Sequence, residues 1–376
     1  MLKTTILIIA VVAMPSVGSP SKDKQRQPAE SSKPAFLEIH LADLGYRSSN
    51  DYHYPGTGIP RDISILNDDY KKRLTFIDQN MLVIYQSHYQ PQKQKDGMPE
   101  SRNMEAFFVN PQTGMLIERK TWSTIKRRFL NERWDTQARI FAAAGGFLVH
   151  AGNALTLYSA GLEQKAQLAL EDGPRWAVTV APLGHAIHLQ RIYPDNQAEG
   201  EWLDSEALKK LRSQHEIAGI TSASERAVVD ELAHCLQLQA VGETARNLIC
   251  NNPRLELPLF LSESEILTTH YKGFTVVSTE GALLWGHEGP VMISSYERSL
   301  NGSRFALAMR GDNGTFDQFK ILKKQVAIIV YARDTRLKVF ELTMGRSNEV
   351  DALELSPDGR MLAVLLGDTL RIYSIP

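Results

Sequence analysis

The stretch from Val350 to Pro376 constrains the fold of this chain more than any other. Leu353 and Leu355 alternate with polar residues, Met361 to Leu366 is a continuous apolar run, and a further apolar segment follows. Proline presets the φ angle of a turn, and glycine supplies the positive φ that a hairpin needs. Two such turn sequences separate the apolar segments, Pro357-Asp358-Gly359 and Gly367-Asp368. The stretch therefore predicts three short antiparallel strands.

Apolar segments of strand length recur between turn residues through most of the chain. They group into six sets of four, which span residues 70–120, 139–170, 176–213, 218–250, 259–286 and 291–343. The last set resembles the C-terminal stretch, because Ser299–Leu307 and Ser356–Ala363 share one order: serine, Asn-Gly or Asp-Gly turn, basic residue, apolar strand. A repeating unit of about 45 residues with four strands is typical of a propeller blade.

These sets predict an all-β chain that folds as a β-propeller with seven four-stranded blades. A ring of six blades is the main alternative, because the fourth set is the least regular. Phe36 to Leu44 has the pattern of a strand but belongs to none of the six sets. We expect it to form the outer edge of the C-terminal blade and to close the ring. Two other segments with weak helical character are interpreted as a turn plus strand (Asp204 to Ser213) and an exposed basic connection (Trp122 to Glu132).

The C-terminal motifs resemble a known class of repeats. Leu355 to Arg360, an apolar strand, and then Leu370 to Tyr373 are similar to a blade of the WD40-like or YVTN-type bacterial β-propellers. Gly286-His287 and Trp134-Asp135 match WD40 dipeptides only out of register with each other. The resemblance implies a propeller fold and does not imply a functional subfamily.

The N-terminal segment has the pattern of a signal peptide over residues 1–18. Lys3 provides a positive charge, Ile6 to Met14 is apolar, and small residues at Ser16 to Gly18 suit a cleavage site. An uncleaved anchor is the alternative. Residues 19–34 are polar and are expected to be a disordered leader, with one propeller domain over 35–376. We therefore expect a periplasmic or secreted protein without a membrane span after cleavage.

The chain contains two cysteines, Cys235 and Cys250. An even count in an exported protein favours a disulfide. Closing a loop of this length would contribute about 3 kcal/mol of stability in the chain-entropy model. Two buried free thiols are the alternative. The spacing does not match a metal site.

Composition and motifs favour binding over catalysis. The net charge of −1 provides no global field that would attract nucleic acid. No nucleophile elbow, zinc-helix motif or phosphate loop occurs, so no catalytic, cofactor or metal residue is assigned. We expect a monomeric scaffold that binds a protein, peptide or glycan. The alternative is an enzyme with a site at the central channel, either a lactonase-like hydrolase or a quinoprotein dehydrogenase-like subunit. Candidate channel-lining residues are His150, His188, Arg191, His270 and Arg310.

Overall fold

Strands make up nearly all of the regular secondary structure in the described part of the chain. The computed structural model describes residues 36–46, 72–89, 100–128, 134–136, 138–171, 175–181, 184–192, 198–211, 226–230, 235–239, 244–250, 258–270, 273–288, 291–311, 325–345 and 350–376. The expected signal peptide and leader lie outside these residues. Strand β1 (Phe36–His40) leads directly into a 3-10 helix at Leu41–Leu44. Among the described residues, no helix is both long enough and apolar enough to cross a membrane.

Six antiparallel sheets contain four or more strands, and we call them blades A to F. Blade A contains β2 (Arg73–Asp78), β3 (Met81–Tyr89), β4 (Glu100–Val109), β5 (Leu116–Arg128) and β6 (Trp134–Thr136). Blade B contains β7 (Ala138–Ala143), β8 (Gly146–Ala151), β9 (Ala154–Ser159) and β10 (Gln164–Ala169). Blade C contains β11 (Arg175–Val180), β12 (Ala186–Ile192), β13 (Ala198–Asp204) and β14 (Lys210–Leu211).

The remaining sheets follow in chain order. A three-stranded sheet contains β15 (Arg226–Asp230), β16 (Cys235–Gln239) and β17 (Arg246–Ile249). Blade D contains β18 (Leu259–Phe260), β19 (Glu265–His270), β20 (Gly273–Ser278) and β21 (Leu283–Glu288). Blade E contains β22 (Val291–Arg298), β23 (Arg304–Gly311), β24 (Gln325–Ala332) and β25 (Lys338–Gly345). Blade F contains β26 (Ala352–Leu355), β27 (Met361–Leu366), β28 (Thr369–Ser374) and β1.

This topology confirms an all-β propeller with four-stranded blades and corrects the number of blades. The expectation of seven four-stranded blades is wrong, because the described residues form six blades of four or more strands and one sheet of three. The three-stranded sheet arises from the set over 218–250, the least regular one in sequence. The strand expected at residues 218–222 lies outside the described residues.

Blade F takes its outer strand from the opposite end of the described chain. Strand β1 pairs antiparallel with β28, so that Phe36 lies opposite Tyr373 and Ile39 opposite Leu370. The backbone N–H of Leu41 then donates a 2.9 Å hydrogen bond to the carbonyl of Asp368. The strand ends at His40, earlier than the sequence pattern indicated, because residues 41–44 turn into the 3-10 helix.

Apolar cores lie between successive blades rather than inside one central core. Buried residues such as Phe76 and Leu370 fill the junction of blades F and A, and Leu353 and Val330 fill that of E and F. Further clusters join A to B, B to C, D to E, and the three-stranded sheet to D. Among the described residues, no shared cluster joins blade C to the three-stranded sheet. The packing is continuous from blade C through B, A, F, E and D to that sheet.

Two further sequence interpretations have different outcomes. The turn plus strand predicted from Asp204 onward is confirmed. The Asp204 carboxylate accepts hydrogen bonds from the backbone N–H groups of Glu206, Ala207 and Lys209, and β14 follows this turn. The segment Trp122 to Glu132 is not only an exposed connection. It continues β5 as far as Arg128, and the end of β5 pairs with β6.

The sequence pattern that blades E and F share corresponds to two turns with the same hydrogen bonds. Ser356 Oγ donates to Asp358 Oδ1 at 2.7 Å and accepts from the backbone N–H of Met361 at 2.9 Å. Ser299 Oγ likewise donates to Asn301 Oδ1 at 2.8 Å and accepts from the N–H of residue 304 at 3.1 Å. The following glycines, Gly302 and Gly359, have φ angles of 66° and 75°, which other residues rarely adopt.

Candidate ligand-binding cavity

A central cavity of about 570 Å³ is bordered by the first strand of every blade. Strands β2, β7, β11, β18, β22 and β26 all contribute to its wall. Neighbouring wall strands are close, since Thr75 Oγ1 on β2 donates a 3.2 Å hydrogen bond to the carbonyl of Ile140 on β7. A cavity of this size is within the usual range for small-molecule and cofactor sites.

The first strands run in the same direction along the cavity. Turns that follow them contact one another: Asn301 N–H donates to the carbonyl of Pro357 at 3.0 Å, and Ala144 N–H donates to that of Gly184 at 3.0 Å. The turns after β22 and β26 therefore lie at one face of the propeller, together with the turn after β2, because the side chain of Gln79 bonds that of Asp358. Residues late in these strands are near that face, which we call the turn face, and residues early in the strands are farther from it.

Strand alternation determines which side chains face the cavity. Leu74 and Phe76 on β2, and Leu353 and Leu355 on β26, are buried in the cores between blades. Because successive side chains on a strand point to opposite sides, the residues between them are directed away from those cores. Polar and charged residues occupy these alternate positions in the cavity wall, and they include Arg73, Thr75, Arg139, Ser295, Glu297 and Glu354.

Two carboxylates lie near the turn face of the cavity. Glu297 is near the end of β22 and Glu354 is near the end of β26, and their side chains interact electrostatically. Burial raises the pKa of Glu297 to about 7, against an opposing effect of Arg298. Burial and the neighbouring Glu297 raise the pKa of Glu354 well above its ordinary value, although a hydrogen bond with the backbone of Phe76 opposes this. Both residues are half-buried, and both line the cavity.

The guanidinium of Arg298 compensates this acidic pair only in part. Its Nη1 atom donates to the backbone carbonyls of Ser299 at 3.4 Å and Leu300 at 3.1 Å. Burial lowers the pKa of Arg298, and the charges of Glu297 and Glu354 oppose that change. Two carboxyl groups thus share one guanidinium in a poorly solvated place, which favours retention of a proton on the pair.

Two arginines line the cavity farther from the turn face. Arg73 is the first residue of β2, and Arg139 is the second of β7. Neither forms an ion pair with a carboxylate among the described residues. Glu354 bonds the backbone of Phe76, which lies three residues after Arg73. At about 3.3 Å per residue, the Cα atom of Arg73 is therefore about 10 Å along the strand from the acidic pair.

Three of the five candidate channel-lining residues have described side chains, and none belongs to the cavity wall. His150 on β8 is 3% exposed, and burial lowers its pKa to about 4. His188 on β12 is 2% exposed and contacts Trp202 edge to face at 5.0 Å. Arg191 on β12 binds the carboxylates of Glu171 at 2.5 Å and Glu199 at 2.9 Å. These residues lie on second strands, whereas the cavity is lined mainly by first strands, with Tyr85 as a second-strand exception.

His270 and Arg310 also lie on second strands. His270 is the last residue of β19, and Arg310 lies in β23. Their side chains are outside the described part of the structure. Among the described residues, no three His, Cys, Asp or Glu side chains come together in a group that could hold a metal ion. The structure thus brings together carboxylates and arginines that the sequence reasoning did not select.

A signal for these residues was present in the sequence. Glu354 interrupts the apolar pair Leu353 and Leu355, and it occupies the alternate position of the first strand in its set. Glu297 is likewise a charged residue in the first strand of its set, where it is the last residue of the predicted strand. Strand alternation within first strands would have identified both, whereas selecting histidines and arginines by residue type did not.

The two cysteines lie at one end of the three-stranded sheet and are not among the residues that line the cavity. Their sulfur atoms are 2.02 Å apart, which is the length of a disulfide bond. Cys235 begins β16 and is buried, while Cys250 directly follows β17 and is exposed. The pair thus joins two neighbouring strands of the same sheet.

Comparison with known proteins gives similarity only at the level of fold. No family model matches the sequence, and no curated protein matches it. A chain in the crystal structure of the Mitotic Checkpoint Complex is 12% identical, with 94% of this chain and 98% of that chain covered and a TM-score of 0.47. The RRP9 WD40 repeats and U3-55K are each 9% identical, with 82% of this chain and 96% of theirs covered and TM-scores of 0.44 and 0.45. Identities this low say nothing about ligand or activity.

Proposed function

We propose that this propeller is a monomeric, non-catalytic binding protein that takes a peptide or glycan ligand, or a segment of a partner protein, into its central cavity. The observation that supports this function is the cavity of about 570 Å³, which first strands from all six blades border and which contains charged groups of both signs. Pockets with a few convergent polar groups and perturbed pKa values are the usual places for ligands. Propeller folds host many functions, so the proposal depends on this site and not on the fold.

Closure of the ring is part of this proposal. The pairing of β1 with β28 ties the two ends of the described chain into blade F. We propose that the remaining junction, between blade C and the three-stranded sheet, also closes and encloses the cavity. Closure would remove exposed strand edges and hold the cavity residues of β2, β22 and β26 in fixed positions.

We also propose that the protein works outside the cytoplasm, in the periplasm or the medium. The disulfide distance between Cys235 and Cys250 supports an oxidising compartment. The signal-peptide pattern over residues 1–18 agrees with export. The resemblance to bacterial WD40-like or YVTN-type repeats is consistent with this location.

Filling the cavity tests the proposed function. Ala352 lines the cavity on β26, so Ala352→Trp should abolish binding by occupying the space. Ala169 is exposed on the outer strand of blade B, and Ala169→Trp is the matched control. Native mass spectrometry would measure retention of members of an equimolar pool of short synthetic peptides and, separately, of oligosaccharides. If Ala352→Trp retains the same compounds as the wild type while staying folded, the central cavity is not the binding site.

A second candidate is an enzyme at the same cavity, and the pKa of Glu297 favours it. A carboxyl group with a pKa of about 7 can donate or accept a proton near neutral pH, as hydrolysis requires. A panel of lactone substrates would test this candidate with wild-type protein and Glu297→Gln. Turnover that disappears in the variant would favour catalysis, and its absence in both proteins would favour the binding function.

A further inference from the structure

We propose that the cavity recognises a short zwitterionic peptide in extended form, with its ammonium group at Glu297 and Glu354 and its carboxylate at Arg73 and Arg139. This inference rests on the proposed function, because it names the ligand class of the same cavity. It follows from the separation of charge along the cavity, which no single blade produces. Blades E and F supply the acidic pair, and blades A and B supply the arginines.

The acidic pair has an incomplete set of internal partners. Among the described residues, Arg298 is the cation that acts on both carboxyl groups, and its guanidinium donates hydrogen bonds to the backbone carbonyls of residues 299 and 300. A primary ammonium has three donors, which suit two neighbouring carboxylates. Its arrival would supply the missing positive charge and displace the proton that the pair retains.

The arginine pair is the complementary feature. Arg73 and Arg139 project from adjacent strands, which Thr75 and Ile140 hold together by a hydrogen bond. Neither guanidinium forms an ion pair with a described carboxylate, so both can accept an external one. The guanidinium fork matches a carboxylate in planar, paired hydrogen bonds.

The distance between these two pairs limits the length of the ligand. The Cα atom of Arg73 lies about 10 Å along β2 from the level of Glu354. An extended tripeptide spans about 10 Å, since each residue adds at most ~3.6 Å. A free amino acid is too short to reach both pairs without relaxation of the long arginine side chains. The volume of about 570 Å³ leaves room for three small side chains.

Calorimetric titration with trialanine and its blocked derivatives tests the inference. Wild-type protein should bind trialanine at least tenfold more tightly than N-acetyl-trialanine and at least tenfold more tightly than trialanine amide. Dialanine, which is shorter than the span, should bind less tightly than trialanine. Equal affinity for the free and blocked peptides would overturn the inference.

Two variants assign each end of the peptide to its site. Glu354→Gln should lose the preference for a free amine and keep the preference for a free carboxylate, whereas Arg73→Gln should show the reverse. Arg191→Gln is the matched control outside the cavity and should retain both preferences. Thermal unfolding of each variant identifies loss of fold. If both preferences vanish together in either folded variant, the assignment of the two ends is wrong.

The result also separates this inference from the proposed function. If trialanine fails to bind but other pooled compounds bind and are lost in Ala352→Trp, the cavity is a binding site for a different ligand class. If no compound depends on the cavity, the proposed function fails as well.

Discussion

Blade F and the three-stranded sheet are held together by different interactions. Blade F receives its fourth strand from more than 300 residues away, through the antiparallel pairing of β1 with β28. The three-stranded sheet is local, and two cysteines separated by 15 positions join its neighbouring strands. Blade F also contributes to two apolar cores, one on each side, whereas the sheet shares one described core with blade D. Long-range pairing is therefore accompanied by extensive apolar burial, and the weaker core is accompanied by a covalent link.

The strand sequences explain this difference. Strand β27 is apolar throughout, and residues 362–365 are fully buried. Strand β16 reads Cys-Leu-Gln-Leu-Gln, with two glutamines that are partly exposed. Burial contributes about 25 cal/mol for each Å² of apolar surface, so β27, with four fully buried residues, should contribute more than β16 to the stability of its sheet. Four predictions test this contrast, from the largest expected effect to the smallest.

Placing a charge on the buried side of β1 should have the largest effect. Ile39 is 7% exposed and packs in the core between blades F and A. Ile39→Asp should lower the free energy of unfolding by about 4 kcal/mol, because it removes apolar burial and buries an unpaired carboxylate. Urea denaturation measures this loss. His40→Asp, on the exposed face of the same strand, is the control and should change stability by less than about 1 kcal/mol. If Ile39→Asp lowered the free energy of unfolding no more than His40→Asp, the pairing of β1 would contribute little to stability.

Removing the covalent link should have the next largest effect. Replacing both Cys235 and Cys250 by alanine should lower the free energy of unfolding by about 3 kcal/mol in the chain-entropy model. Reduced wild-type protein, unfolded under the same conditions, separates the loss of the bond from the change in side chains. A thiol count on non-reduced protein checks the premise, and two free thiols would contradict it.

The serine turn of blade F should contribute less than either link. Ser356 is fully buried, and its hydroxyl bonds both Asp358 and the backbone of Met361. Ser356→Ala should lower the free energy of unfolding by about 1–2 kcal/mol, because the N–H of Met361 loses its partner. Ser299→Ala removes the equivalent bonds in blade E and should have a similar effect. A difference of more than about 1 kcal/mol between the two would show that the turns are not equivalent despite their matching geometry.

The exposed ion pair of blade F should have the smallest effect. Arg371 Nε lies 2.8 Å from Glu38 Oε2 across the β1–β28 pair, and both side chains are about one-third exposed. Arg371→Gln should lower stability by less than about 1 kcal/mol, because solvent screens surface ion pairs. A double-mutant cycle with Glu38→Gln measures the coupling, which should shrink at high salt. Coupling above about 2 kcal/mol would mean that charge, rather than apolar burial, holds β1 in place.

The sequence predicts blade F and its partner strand because the signals there are local and strong. Turn residues such as Gly359 and Gly367 separate apolar runs, and β1 is a strand without a set of its own. The extent of β5 was harder to predict. Its basic end at Lys126 to Arg128 has the composition of a loop, yet pairing with β4 and β6 keeps it extended. Such tertiary pairing overrides local composition.

The cavity was predictable only in part, for a different reason. The sequence offers a site at a central channel as an alternative, but residue type alone points to His150 and His188, which are buried within blades B and C. The charged wall depends on which strand of each set is the first and which of its residues alternate inward. Glu354 meets Glu297 only because blades E and F are neighbours, and that proximity comes from the assembled ring.

The origin of β1 has a consequence for biosynthesis. A ribosome releases Phe36 long before Tyr373, so the first strand has no partner while most of the chain is being made. Blade F can assemble only after β28 has emerged, and contacts of such long separation form slowly. The core between blades F and A, which contains both Ile39 and Leu370, therefore forms late in synthesis.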